Sequence, residues 1–99
     1  MNEELLTAFQ RDVEADIRRM LARHGRSAVD RDVYEGLVPF YSSQVQRYVK
    51  LRIDGIEVWL FESEANFSGP TGGGEFERAD YSSEAELKMA FLEALFSHL

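Results

Sequence analysis

The sequence predicts one α+β domain with a helix at each end and an antiparallel sheet of three to four strands between them. Apolar residues near both termini recur at helical spacing, and two alternating segments flank Asp54-Gly55 in the middle. The chain has 99 residues, of which 44% are hydrophobic, and this suits one core but not two. We therefore expect a single domain spanning residues 1–99.

The first predicted helix runs from Asn2 to about His24. Its apolar residues are separated by three or four positions, which is typical of an amphipathic helix. They are Leu5, Leu6, Phe9, Val13, Ile17, Met20 and Leu21. Asn2 is the expected N-cap because its side chain accepts a hydrogen bond from a free amide of the first turn. Arg23 and Gly25 suit the C-terminal end.

Residues 26–46 are consistent with a short second helix, capped by Ser27 or Asp30. Pro39 is expected to end it, because the proline ring lacks an amide donor and restricts the preceding residue. After this break, residues 40–45 fit a loop, a helical turn or the approach to a strand, and the sequence leaves these three open.

A β-hairpin over residues 47–62 is expected to form the centre of the sheet. Asp54-Gly55 suits a two-residue type I′ turn, in which both central residues need positive φ. This turn sets the register between the strands and predicts two faces. The aliphatic face pairs Ile53 with Ile56, Leu51 with Val58 and Val49 with Leu60, and the other face pairs Arg52 with Glu57, Lys50 with Trp59 and Tyr48 with Phe61.

The hairpin is expected to be followed by a third strand near Ala65–Ser68 and a fourth at Glu75–Tyr81. Between them, the segment Gly69–Gly74 has four glycines in six positions. Ordering glycine costs much conformational entropy, so we expect a mobile loop there.

A C-terminal helix is predicted from Ser83, which forms a capping box with Glu86. Its apolar residues cover most of the circumference, so it should be buried against the sheet, against the first helix or in a subunit interface. A homo-oligomer assembled through this helix is therefore one open alternative.

The charge distribution favours a basic protein partner. Residues 54–99 contain ten acidic residues against Arg78 and Lys88, a formal charge of −8. This field repels phosphate and anionic lipid, so neither nucleic acid nor a membrane is an expected partner. The chain has no cysteine, begins with acidic residues and has no apolar run of membrane-spanning length, which predicts a cytoplasmic location.

We find no pattern typical of a catalytic or metal site, and we predict no catalytic residue, metal or cofactor. Gly69 and Gly74 have the spacing of a phosphate-binding loop, but Glu75 and Phe76 replace its lysine and hydroxyl residue. A small enzyme or ligand- or metal-binding domain that uses the carboxylates near the 69–74 loop is the alternative interpretation.

The remaining candidate is a partner-binding surface, since aromatic anchors with a charged rim are typical of protein interfaces. The same aromatic residues would instead be core residues if a helix packed on each side of the sheet. The predicted partner-binding residues are Tyr48, Glu57, Trp59, Phe61, Glu62, Glu64, Glu75, Glu77 and Asp80.

Three segments lead into the amphipathic C-terminal helix: Glu57-Val-Trp-Leu-Phe-Glu62, Ala65-Asn-Phe-Ser-Gly69 and Phe76-Glu-Arg-Ala-Asp-Tyr-Ser-Ser83. Together with that helix, they resemble small acidic bacterial immunity proteins. The resemblance consists of the order strand, loop, strand and helix, and no residue role is carried over from it. It implies a stoichiometric inhibitor that neutralises a basic toxin or nuclease domain through acidic and aromatic residues.

Overall fold

The structure, a computed structural model, describes residues 5–26, 29–38 and 41–99. In this part of the chain a helix, a five-stranded antiparallel sheet and a second helix follow one another, which confirms the predicted α+β class. The elements are α1 (Ala8–Arg23), β1 (Asp30–Val38), β2 (Tyr41–Ile53), β3 (Ile56–Leu60), β4 (Ala65–Gly69), β5 (Gly72–Phe76), a 3₁₀ turn (Arg78–Asp80) and α2 (Glu84–Ser97).

The strands lie side by side in sequence order, each antiparallel to the next. Asp54 and Gly55 have φ angles of 50° and 83°, as a type I′ turn requires. The register predicted for the central hairpin is confirmed. The five observed pairs are Ile53 with Ile56, Leu51 with Val58, Val49 with Leu60, Arg52 with Glu57 and Lys50 with Trp59, and the pairing ends before the sixth predicted pair, Tyr48 with Phe61.

The prediction of a short helix in residues 26–46 is wrong, because Asp30–Val38 forms β1 and pairs with β2. Pairing with β2 satisfies the backbone groups on one side of this segment, and the half-buried Val33 packs against the core. This tertiary contact outweighs the weak local preference for a helix. The proposed cap Ser27 and the break at Pro39 lie outside the described residues.

The predictions of a mobile loop over Gly69–Gly74 and of a strand over Glu75–Tyr81 are also wrong, because Gly72–Phe76 forms β5 and pairs with β4. Gly69 faces Gly72 across a tight turn. Gly73 lies so close to β4 that an added Cβ would overlap the carbonyl oxygen of Phe67. Close backbone approach, and not flexibility, therefore accounts for this glycine.

α1 begins later than predicted and is capped by Thr7 in a capping box with Gln10. Gln10 is fully buried, and its Nε2 donates hydrogen bonds to the carbonyl oxygens of Arg47 at 2.9 Å and Leu60 at 3.0 Å. One amide side chain thus caps the helix and joins it to β2 and β3. The predicted cap Asn2 lies outside the described residues.

α2 begins at the predicted cap, with the Ser83 hydroxyl accepting a hydrogen bond from the Glu86 amide at 3.1 Å. The Glu86 carboxylate accepts instead from the amide of Ser82, at 3.3 Å, so the box is shifted by one residue. The buried residues of α2 pack within this chain, and Met89 is its exposed large apolar residue. They are Leu87, Phe91, Leu92 and Leu95.

The hydrophobic core lies between the two helices and one face of the sheet. Phe91 of α2 packs edge-on against Phe67 and Phe76, with ring centroids 6.0 Å and 5.5 Å away. The sheet contributes the alternating residues of the predicted aliphatic face, extended into β4. They are Val49, Leu51, Ile53, Ile56, Val58, Leu60, Ala65 and Phe67.

Candidate functional site

The sheet face opposite α1 and α2 is covered by neither of these helices, and we call it the open face. Strand alternation places on it the residues between the core positions. The turn register predicts this face for the charged and aromatic side chains of the hairpin. The open face comprises Asp30, Asp32, Tyr34, Gln46, Tyr48, Lys50, Arg52, Glu57, Trp59, Asn66, Ser68, Gly73 and Glu75.

Trp59 occupies the middle of the open face and is half-buried. The strand register places Lys50 on one side of it and Asn66 on the other, with Glu75 beyond Asn66. The Lys50 Nζ lies 5.4 Å from the centroid of the indole ring, which is the predicted cation–π contact. A single row of side chains therefore crosses the sheet with an aromatic ring at its centre.

Glu57 is held by basic residues of β2. Its Oε2 lies 2.6 Å from the Lys50 Nζ and 3.9 Å from the Arg52 Nε. The hydrogen bond from Lys50, reinforced by the charges of Lys50 and Arg52, lowers the pKa of Glu57 below its usual value. This predicted partner-binding carboxylate is thus already paired within the chain.

Tyr34, Tyr48 and Phe61 form an aromatic group beside this row. Tyr48 stacks on Tyr34 with centroids 5.2 Å apart, and its ring lies 5.6 Å from that of Phe61. Phe61 is only 1% exposed, so it offers almost no surface to a partner. Tyr34 and Tyr48 retain exposed surface, and the sequence reasoning did not include Tyr34 in the site.

The remaining predicted carboxylates lie in the segments that precede β4 and follow β5. Glu64 and Glu77 are half-buried and flank the pair formed by Ala65 and Phe76, whereas Glu62 and Asp80 are exposed. We call these four acidic residues the acidic end. It consists of Glu62, Glu64, Glu77 and Asp80.

A shallow depression of about 380 Å³ opens on the open face beside Trp59. Its floor includes Asn66, which is 2% exposed. The Asn66 Oδ1 accepts a hydrogen bond from the Phe76 amide at 3.4 Å, whereas Nδ2 is buried and has no hydrogen-bond partner. An unsatisfied buried donor of this kind costs about 1–3 kcal/mol. The residues lining the depression are Trp59, Asn66, Phe67, Ser68, Gly73, Gly74 and Glu75.

Asn66 was missed by the sequence reasoning. It belongs to the predicted third strand, where asparagine is uncommon in an interior position, and this was the available signal. Its partners depend on β5, which was placed too late in the sequence. The relation between Asn66 and Glu75 therefore became visible only with the strand pairing.

The described residues contain no group of three or more His, Asp or Glu side chains placed to hold a metal ion. His98 caps the end of α2, where its Nδ1 lies 3.1 Å from the Thr71 hydroxyl and its ring 5.3 Å from that of Phe67. It joins the end of α2 to the β4–β5 turn. His24 is the C-cap of α1.

Neither α1 nor α2, nor any other helix in the described ranges, has the length and apolar character needed to cross a membrane. Comparison with known proteins finds no matching family model, no matching curated protein and no matching solved structure. The functional interpretation therefore depends on the geometry of the open face.

Proposed function

We propose that this chain is a non-enzymatic protein-binding module that docks its open face on a partner with a basic surface. The observation that carries the proposal is the half-buried Trp59 on a sheet face left uncovered by α1 and α2, next to the acidic end. Aromatic side chains that a partner can desolvate are the usual energetic centre of an interface. Tyr34 and Tyr48 add aromatic surface beside it.

The acidic end gives the surface a preference for basic partners. Glu62 and Asp80 are exposed there, and the second half of the chain carries a formal charge of −8. Charges at the rim of an interface mainly accelerate association with an oppositely charged protein. We therefore assign them to steering and assign the binding energy to the aromatic residues.

An immunity-type inhibitor of a basic toxin or nuclease domain is the most concrete form of this function. The resemblance of the C-terminal part of the sequence to small acidic immunity proteins supports it, as does the location of Glu57 and Glu75 on the same sheet face as Trp59. Such an inhibitor acts by occupying a surface and needs no catalytic residue of its own.

Binding of purified proteins encoded beside this gene to the immobilised chain tests the proposal. We expect one basic protein to bind, with an affinity that falls as the salt concentration rises. Trp59→Ala should lower this affinity about tenfold or more, as for an aromatic hot spot. Met89→Ala is the control, because Met89 is 69% exposed on α2 and lies away from the open face. The proposal fails if no such protein binds, or if binding ignores both salt and Trp59→Ala.

A second variant separates steering from anchoring. Glu62→Gln combined with Asp80→Asn removes two exposed charges of the acidic end. Because rim charges act on encounter, the association rate should fall while the dissociation rate stays nearly constant. A change confined to dissociation would mean that these carboxylates are buried contacts of the complex.

A further inference from the structure

We propose that the depression between Trp59 and Glu75 receives a side-chain carboxamide, an Asn or Gln that the partner presents among basic residues. This inference rests on the proposed function, because it names the group that the partner inserts into the open face. The observations behind it are an unpaired buried donor, a neighbouring acceptor and an aromatic wall around one depression.

The first requirement is an acceptor oxygen for Asn66. The Nδ2 of Asn66 has no hydrogen-bond partner, and a buried amide donor is almost always paired in folded proteins. The opposite atom, Oδ1, is held only by a 3.4 Å hydrogen bond to the Phe76 amide, beyond the usual range for such bonds. The amide group can therefore tilt and bring Nδ2 up to an oxygen that enters the depression.

The second requirement is a donor for Glu75. Glu75 is exposed and lies directly opposite Asn66 in the pairing of β4 and β5. Residues opposite each other in antiparallel strands have Cβ atoms about 5 Å apart, so one small group can reach both side chains. A group that accepts from Asn66 and donates to Glu75 pairs with both side chains at once.

A primary carboxamide meets both requirements. It carries a carbonyl oxygen and an NH₂ group on one edge, whereas a trans peptide bond directs its C=O and N–H in opposite directions. Ammonium and guanidinium groups only donate, so they would leave Nδ2 unpaired. A carboxylate would be repelled by Glu75 and by the acidic end.

The shape of the depression also suits a planar group. The indole of Trp59 forms one wall, and Gly73 and Gly74 contribute only backbone to the lining. Amide planes can lie flat against an aromatic ring in such a position. The depression, of about 380 Å³, is large enough for one side chain together with the adjacent backbone.

The test is a nuclear magnetic resonance titration of the ¹⁵N-labelled chain with blocked tripeptides that share two lysines. Lys-Gln-Lys, Lys-Leu-Lys and Lys-Glu-Lys differ only in the central group. We expect Lys-Gln-Lys to shift the Asn66 side-chain amide and the Trp59 indole resonances and to bind at least about fivefold more tightly than Lys-Leu-Lys, the gain from one hydrogen-bonded pair.

Asn66→Asp should remove this preference, because it keeps the acceptor for the Phe76 amide but loses the donor. The ratio of the two peptide affinities within one variant cancels the effect of the added charge. Asp32→Asn is the control, since Asp32 faces Lys50 in the same row but at its other end. This control should leave the ratio unchanged.

The outcomes separate the two proposals. Equal, salt-dependent binding of Lys-Gln-Lys and Lys-Leu-Lys at the open face overturns the carboxamide inference and leaves the proposed function standing. Absence of any shift with all three peptides overturns the carboxamide inference, whereas the proposed function is tested separately by the binding of whole basic proteins. A shift of the same two resonances by methyl β-glucoside, without a preference for glutamine, assigns the depression to a saccharide. A water molecule bound to Nδ2 that no peptide displaces also overturns the inference.

Discussion

Lys50 takes part in two interactions on the open face. Its Nζ lies 2.6 Å from Glu57 and 5.4 Å from the centre of the Trp59 ring. The hydrogen bond to Glu57 stabilises the charged carboxylate and lowers its pKa. Lys50 therefore links the protonation of Glu57 to the cation–π contact of Trp59.

Lys50→Met is predicted to raise the pKa of Glu57 toward its usual value, and a carbon-detected titration of the Glu57 carboxyl group would measure this. The folded-state pKa is lowered, so the stabilisation is present above the ordinary glutamate pKa of about 4.3 and is lost as pH falls through the lowered value. Because the Lys50–Glu57 pair is partly exposed, it contributes at most about 1 kcal/mol to the free energy of unfolding at pH 7.

Arg52→Met is the matched control for this titration. Its Nε lies 3.9 Å from Glu57, and its charge is the weakest of the causes that lower the pKa. It should therefore raise the pKa of Glu57 less than Lys50→Met does. Equal shifts in the two variants would show that the hydrogen bond from Lys50 does not dominate.

Individual side chains differ in how well the sequence predicted their contacts. The contact of Lys50 with Trp59 followed from the turn at Asp54-Gly55, since that turn sets the register. The contacts of Gln10 and Asn66 did not follow, because their partners belong to strands that are distant in the sequence or had been misplaced.

The β4–β5 hairpin is held by close backbone packing at glycine. Gly73→Ala should lower the free energy of unfolding by about 2 kcal/mol or more, because the added Cβ overlaps the Phe67 carbonyl oxygen and neither backbone can move independently. Urea denaturation would measure the change.

Gly36→Ala in β1 provides the control for this substitution. A Cβ at Gly36 has no atom within 4 Å, so the expected change is within about 0.5 kcal/mol. If both substitutions had the same small effect, the β4–β5 hairpin would be looser than described and the 69–74 segment closer to the predicted loop.

The secondary-structure errors have a common physical cause. β1 and β5 lack strong local signals, since β1 has mixed polarity and β5 begins with Gly72, Gly73 and Gly74. Both form because neighbouring strands provide hydrogen-bond partners for their backbones. Strand formation depends on such pairing more than helix formation does, and pairing partners are not visible in a local window.

The helices and the sheet share a single core, so the described structure should unfold in one transition. Phe91→Ala removes a fully buried ring that contacts Phe67 and Phe76, and it should cost about 3–5 kcal/mol. Circular dichroism and Trp59 fluorescence should report the same lowered midpoint of the unfolding transition, although Trp59 lies on the opposite face of the sheet.

Met89→Ala is the control within the same helix, because Met89 is exposed and lies outside the core. It should shift the midpoint little. Two separate transitions in the Phe91→Ala variant would show that the open face unfolds independently of the helices, and the single-core interpretation would then be wrong.

The fold class, the two terminal helices and the central hairpin followed from residue order, because hydrophobic periodicity and turn chemistry act between neighbours in the chain. The five-stranded pairing, the uncovered face and the depression above Asn66 arise from contacts between distant segments. Local sequence could place Trp59 opposite the aliphatic residues, but only the packing of both helices on one side left its face open.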